Sequence, residues 1–456
     1  MKFDLNPTEE NVKETYLKDA IGRNDDVFIF ANTLNNIDTN CSIALDGDWG
    51  SGKTFFVKQV KLLLDACNPN VEMDEEVRTD ICNFLDDDDT FSGNPQICAY
   101  YDAWDNDNDE DPILSIVASI VCSTAGENVL PNNPLKLYGL AAAIADYFPL
   151  KSGELLKALK CDNPLDGINA QKDLRKAISD FFEELLVEKG NRLVVFVDEL
   201  DRCNPRFAVS LLERIKHYFT NDRITFVFSI NTTELQHTIK SYYGNEFDAY
   251  RYLDRFFDLR FSLPPVDKDR YFNHLWKEKR TFTYEMIAEK VAIKYNLSMR
   301  EISRYANLLE VAAYSITHTQ RFDSSNTVQF CSLYIVPIAL GLKMSSSNAY
   351  KAFVEGRDEK PILILLECIS KESFSDLLDI HEGFERIGDD RTTVVSCADK
   401  LRAVYDALFV QQYDKRICYK GIGKCIFNEN VRRDFFKIIG LISERTDITQ
   451  ITTETT

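Results

Sequence analysis

Apolar and polar positions fall into two regimes, one before and one after Pro264 and Pro265. Upstream, short apolar runs alternate with helical periods. The runs at 41–45 (CSIAL), 97–101 (ICAYY), 193–197 (LVVFV) and 224–230 (ITFVFSI) predict strands, the last two unbroken enough to be covered on both faces. At 257–263, Phe257, Leu259, Phe261 and Leu263 alternate with Asp258, Arg260 and Ser262. That period of two predicts a half-buried strand, stopped by the prolines. Between the strands, Val27, Phe30, Ala31 and Leu34 take the i, i+3, i+4, i+7 spacing of a helix that Asp25 or Asp26 would cap. Residues 54–64 (TFFVKQVKLLL) predict another helix. Strands alternating with helices imply an α/β fold with a largely parallel sheet.

Downstream of Pro265 the strand patterns stop. Ser298 and Glu301 form a capping box ahead of Ile302, Tyr305, Ala306 and Leu309 on one helical face. The expected division is a helical lead-in at 1–18, a core at 19–265 with a helical insert over about 106–185, and a helical lid at 266–320. A C-terminal helical domain at 328–445, set off by a polar break at 321–327, precedes a disordered tail at 446–456. No internal repeat is evident.

Composition narrows the class. A content of 45% hydrophobic residues, with 30 Phe and 20 Tyr, supplies a core and excludes disorder for most of the chain. The net charge of −20 argues against nonspecific coating of nucleic acid or anionic membrane. Its distribution weakens that argument: 72–111 holds fifteen Asp/Glu against Arg78 alone, whereas 251–304 holds twelve Lys/Arg against eight Asp/Glu. Nucleic acid is not indicated, nor is it ruled out. The most apolar stretches, 137–150 and 331–344, are each 14 residues and fall short of a membrane span. With no apolar leader at the N-terminus, the protein is expected to be soluble and cytoplasmic. Twelve scattered cysteines without a CxxC read as reduced, mostly buried small hydrophobes.

The chemistry centres on Gly47, Asp48, Trp49, Gly50, Ser51, Gly52, Lys53 and Thr54, which fit GxxxxGK[ST] between an apolar strand and a helix. In such a loop successive N–H groups wrap phosphates, the helix N-terminus adds its dipole, Lys53 neutralises the β/γ-phosphates and Thr54 holds Mg²⁺. The second half of the site is the apolar strand ending in Asp198 and Glu199. Asp198 would reach the Mg²⁺ through water, and Glu199 would polarise the attacking water. No NKxD guanine-reading motif is present, which favours ATP. Residues 105–111 imitate an EF-hand loop but carry Glu110 at the sixth place and Ile116 at the twelfth, and residues 420–424 (KGIGK) are too short for a second phosphate loop.

Four separated motifs resemble the KAP family of P-loop NTPases: the tryptophan-bearing loop 47–54, Asp102-Ala103-Trp104, residues 198–205 (DELDRCNP), and 252–257 (YLDRFF) ahead of Leu263 and the prolines. The resemblance covers about 19–310 and leaves the region beyond 330 unmatched. It implies a three-layer αβα core similar to AAA+ and STAND ATPases, with an extra strand between the Walker strands. It further implies Asn231 as a polar sensor of the γ-phosphate, Arg251 or Arg255 as a finger toward a neighbour's nucleotide, Arg300 and Arg304 as lid sensors, and Arg23 near the base. A homo-oligomer or a partner protein follows from the same resemblance. Many members carry membrane helices between the Walker motifs, absent from the pattern here, and many carry Asp where Glu199 stands. Because the family includes signalling scaffolds and phage-exclusion proteins, two readings stand: an ATPase coupling turnover to conformational change or assembly, with antiphage defence as a setting, and a nucleotide-gated switch with little turnover. A DNA translocase is disfavoured.

Overall fold

The five apolar runs form five parallel strands, β1 (Cys41–Asp46), β2 (Gln96–Asp102), β3 (Arg192–Asp198), β4 (Ile224–Ile230) and β5 (Leu259–Ser262), in spatial order β2-β3-β4-β1-β5. The computed structural model describes residues 6–83, 94–109, 112–125, 179–276 (apart from 180, 181, 184 and 188), 283–318, 326–368, 396–414 and 418–441, with 378, 385–386 and 392–393 between them. The 137–150 run, the tail at 446–456 and most of the insert lie outside the described residues.

Alternation along β3 explains the layers. Leu193, Val195 and Val197 face one side with Phe226 and Phe228, where α5 (Pro112–Ala125), α6 (Pro205–Tyr218) and α7 (Thr232–Tyr243) supply Ile113, Ile116, Leu211, Ile215 and Leu235. Val194 and Phe196 face the other side with Ile43 and Val227. There α2 (Asn24–Asn35), α3 (Lys53–Cys67) and α4 (Glu75–Cys82) supply Phe30, Leu34, Phe56, Val60, Leu63 and Ile81. Each such side chain contributes about 1.5–3 kcal/mol on full burial. This is a three-layer α/β core, and β4 is the extra strand between β1 and β3.

Three local expectations change. Asp25 and Asp26 sit in the first turn of α2 and do not cap it; Arg23 holds the N-cap position without a side-chain cap bond. The acids still favour that end through the helix dipole. In β5, Leu259 is exposed, because this strand pairs only with β1 and lies at the sheet edge. The lead-in is not separate from the core. Helix α1 (Glu9–Leu17) buries Tyr16 among the α2 and α3 side chains, and Gln59 Nε2 donates to Thr15 Oγ1 at 3.2 Å.

The chain divides into two compact units, one spanning Asn6–Asp267 and one from Lys268 onward. The second unit is helical: α9 (Lys268–Trp276), α10 (Thr283–Lys294), α11 (Met299–His318), α12 (Asn326–Ser345), α13 (Ser347–Val354), α14 (Cys397–Tyr405) and α15 (Glu429–Leu441). Glu301 Oε2 accepts from the Ser298 backbone at 2.8 Å, and Ser298 Oγ accepts from Glu301 N at 3.4 Å, so the capping box starts α11. The expected lid and C-terminal domain share one core here. Tyr305 donates to the Pro337 carbonyl at 2.6 Å, and Gly341 lies so close to Val291 that a Cβ would fall 2.1 Å from Cγ1. Helix α12 is 20 residues, longer than the apolar stretch suggested, and by length and composition it suffices to cross a membrane. Within this unit 78% of its apolar window is buried. Residues Lys420–Ile422 and Cys425–Phe427 form an antiparallel hairpin, not a phosphate loop.

Candidate functional site

Strand β1 ends at Asp46, and the chain turns through 47–52 into α3. Gly50 and Gly52 take φ of 78° and 90°, the left-handed region glycine enters at no steric cost. Gly52 is the N-cap of α3 with no side-chain cap bond, so the first amides of that helix are committed to no side chain there. Lys53 is buried, and its Nζ donates to the carbonyls of Gly47 at 2.6 Å and Asp48 at 3.2 Å. Burial pulls the Lys53 pKa down, opposed by the charges of Asp201, Asp198 and Glu199. Asp48 and Trp49 are exposed, while Ser51 Oγ donates to the Asp48 carbonyl at 2.6 Å.

The β3 terminus faces this loop across the sheet top. Asp198 is fully buried, and its Oδ2 accepts from Thr54 Oγ1 at 2.7 Å and from Tyr100 OH at 3.0 Å. Burial first, then the Asp198 charge, raises the Tyr100 pKa, keeping it a neutral donor. A hydroxyl and a carboxylate in contact are hard oxygen donors of the kind Mg²⁺ takes, one or two from protein and the rest from water and phosphate. Among the described residues no group of three or more His, Cys, Asp or Glu could hold a metal by itself. The residues present fit Mg²⁺ and a triphosphate.

Glu199 has φ of 59°, uncommon for a residue with a side chain. Its carboxylate is raised to about 7 by burial and by Asp198, with Arg202 opposing. Arg202 Nε meets Glu199 Oε2 at 2.5 Å. Asn231 caps α7, its Oδ1 accepting from Thr233 N at 3.1 Å and Glu234 N at 3.2 Å. That bond uses the carbonyl end and leaves Nδ2 as the end suited to donate to a phosphate. Substituting Asn231→Asp retains the capping oxygen and removes the donor. If Asn231 meets a γ-phosphate, as the resemblance implies, the variant should melt like the parent while its kcat for ATP falls by about tenfold to a hundredfold, read by phosphate release alongside circular dichroism.

Arg23 supports the loop from below. Its guanidinium is 3% exposed and donates from Nη1 to the Ser51 carbonyl at 3.1 Å and from Nη2 to the Pro264 carbonyl. Burial brings its pKa down to about 10. Two backbone carbonyls thus hold the side chain that the resemblance implies to lie near the base. Arg255 is exposed just after α8 (Ala249–Leu253), and the exposed Arg251 pairs with Asp248 at 3.4 Å. Arg300 and Arg304 share the exposed face of α11 in the second unit.

Sequence reasoning overlooked three site residues. Tyr100 lies inside an apolar strand and carried no separate signal. Asp201 accepts from Trp49 Nε1 at 2.6 Å, and the Arg202 guanidinium lies over the rings of Trp49 and Trp104 at cation–π distance; both stand in the 198–205 motif, where Arg202 is three residues from Glu199.

The family model for the KAP family P-loop domain matches residues 29–316. Among solved structures, the Aeropyrum pernix ORC2 protein in its ADPNP-ADP complexes is similar at a TM-score of 0.34 and 14% identity, covering 92% of this chain and 86% of that one. No curated protein matches the chain in sequence.

Proposed function

Because the chain belongs to the KAP family of P-loop domains, we propose that it is a Mg²⁺-dependent ATPase whose turnover drives conformational change or assembly. The observation that carries this reading is the Thr54–Asp198 contact beside Lys53 and Glu199. It joins the two halves of the site through a pair of oxygen donors. Mg²⁺, when bound, would neutralise phosphate oxygens and hold them in register. Thr54 and Asp198 would hold that ion, while Lys53 and the amides of 50–54 bind and orient the β/γ-phosphates. Glu199 would accept a proton from the attacking water, and Asn231 Nδ2 would fix the γ-phosphate end. Tyr100 keeps Asp198 oriented by donating to the oxygen that also meets Thr54.

The choice of ATP over GTP, which follows from the sequence lacking an NKxD motif, and cytoplasmic placement belong to the same proposal. A homo-oligomer or partner with Arg255 as finger, lid sensing by Arg300 and Arg304, and antiphage defence belong to it through the family resemblance. Sedimentation of the purified chain with ATP against ADP tests the coupling. A larger assembly with ATP is expected, reduced by Arg255→Ala. The same sedimentation coefficient in both nucleotides would contradict coupling to assembly.

A further inference from the structure

Arg202 sits at a junction that the nucleotide chemistry alone does not require. The chain leaves β3 through the left-handed Glu199 into a single 3₁₀ turn, Leu200–Arg202, with Arg202 N donating to the Glu199 carbonyl at 3.1 Å. That turn folds Arg202 back over Glu199, and Nε meets Oε2 at 2.5 Å with both side chains largely buried. The guanidinium carbon lies 5.4 Å from the Trp104 ring centroid and 5.9 Å from that of Trp49. Both tryptophans are about half exposed, the Trp49 indole held through its ring N–H and Trp104 through its backbone. Trp49 donates to Asp201, and the Trp104 amide donates to Asp102 Oδ1 at 3.0 Å. The loop bearing Trp104 is itself joined to the segment after Arg202, because Asn204 N donates to Asp107 Oδ2 at 3.0 Å.

A planar guanidinium between two aromatic faces is fixed in orientation as well as in charge. It occupies one carboxylate oxygen of Glu199 and leaves Oε1 as the atom to accept a proton. We infer that Arg202, bracketed by Trp49 and Trp104, is a positioning residue that aims the Glu199 carboxylate, and that the bracket ties this aim to the phosphate-loop tip through Trp49. The inference rests on Glu199 being the group that activates water. It assigns Arg202 no contact with the nucleotide, so its loss should act on kcat and not on KM.

The test measures kcat and KM for Mg²⁺-ATP with the full chain as parent, Arg202→Ala, Arg202→Lys, Glu199→Gln and the double variant Glu199→Gln/Arg202→Ala. Misplacing a reacting group by about 1 Å costs on the order of a hundredfold, so Arg202→Ala should lower kcat by about tenfold to a hundredfold with KM within about threefold. Lysine keeps the charge but not the planar fork and should recover part of the rate. In the Glu199→Gln background, removing Arg202 should cost less than about twofold, because the group it aims is already gone. Parent-like kcat in Arg202→Ala, or an equal loss in both backgrounds, would overturn the inference. If Arg202→Ala fails to fold by circular dichroism, Arg202→Lys and Trp104→Ala decide it: lowered kcat at unchanged KM supports the role, and parent-like kcat in both sinks it. Failure of the underlying reading looks different, as a parent that releases no phosphate or a Glu199→Gln that matches it.

Discussion

Lys53→Ala is expected to lower kcat/KM for ATP by about a thousandfold, since removing one preorganised donor to developing phosphate charge costs roughly 10²–10³ and Lys53 also supplies a full charge. The lysine is buried and meets only backbone carbonyls of its own loop among its hydrogen-bond partners. Burial disfavours its charged form, so alanine relieves a desolvation cost instead of leaving a buried group unpaired. The variant should therefore fold, melting within about 2–4 °C of the parent, a shift that corresponds to roughly 1 kcal/mol for a domain of this size. Fluorescent nucleotide titration and phosphate release, with a melting curve on the same sample, separate loss of chemistry from loss of fold. Parent-like nucleotide affinity and turnover would contradict the assignment.

Glu199→Gln should lose about 10²–10⁴ in kcat while still binding ATP, the signature of a removed general base with phosphate contacts intact. Gln matches Glu in size and pays the same cost at a φ of 59°, so backbone strain does not change. The Arg202 contact survives as a hydrogen bond from the guanidinium to the neutral Gln oxygen, weaker than the present ion pair. Single-turnover phosphate release at saturating ATP reads the step. Nucleotide affinity is expected within about threefold of the parent, because the proposal gives the binding to Lys53, Thr54 and Asp198.

The sheet was legible because its signal is local. Leu193–Val197 and Ile224–Ile230 are short, rich in β-branched and aromatic residues and buried on both faces, as central strands require. The edge was legible only in part. Alternation at 257–263 marked a strand, but Leu259 is exposed because one neighbour is missing, a fact of sheet order that periodicity does not contain. The same holds for the cap of α2: two acids after Arg23 look like caps, and only the backbone turn at Gly22 decides that Arg23 holds the position. In the site, the turn at 47–54 was legible because Gly50 and Gly52 fall where the backbone takes positive φ, and Asp198 because it ends an unbroken apolar strand. Arg202 was not, because its role depends on a left-handed turn at Glu199 that a residue with a side chain seldom adopts. Nor was the setting of Arg23 legible, since a buried guanidinium held by two carbonyls looks in sequence like any other arginine. The second unit was legible as helices but not as one core, because Tyr305, Val291 and Gly341 meet across a polar break that suggested a boundary.

The measurement that bears most directly on the central claim is phosphate release from ATP by the purified full chain, in Mg²⁺ and again in EDTA. The account predicts turnover in Mg²⁺, its loss in EDTA, and its loss in Glu199→Gln at retained nucleotide binding. Tight ATP binding with no phosphate released by the parent in Mg²⁺ would contradict it and leave the site a nucleotide-gated switch.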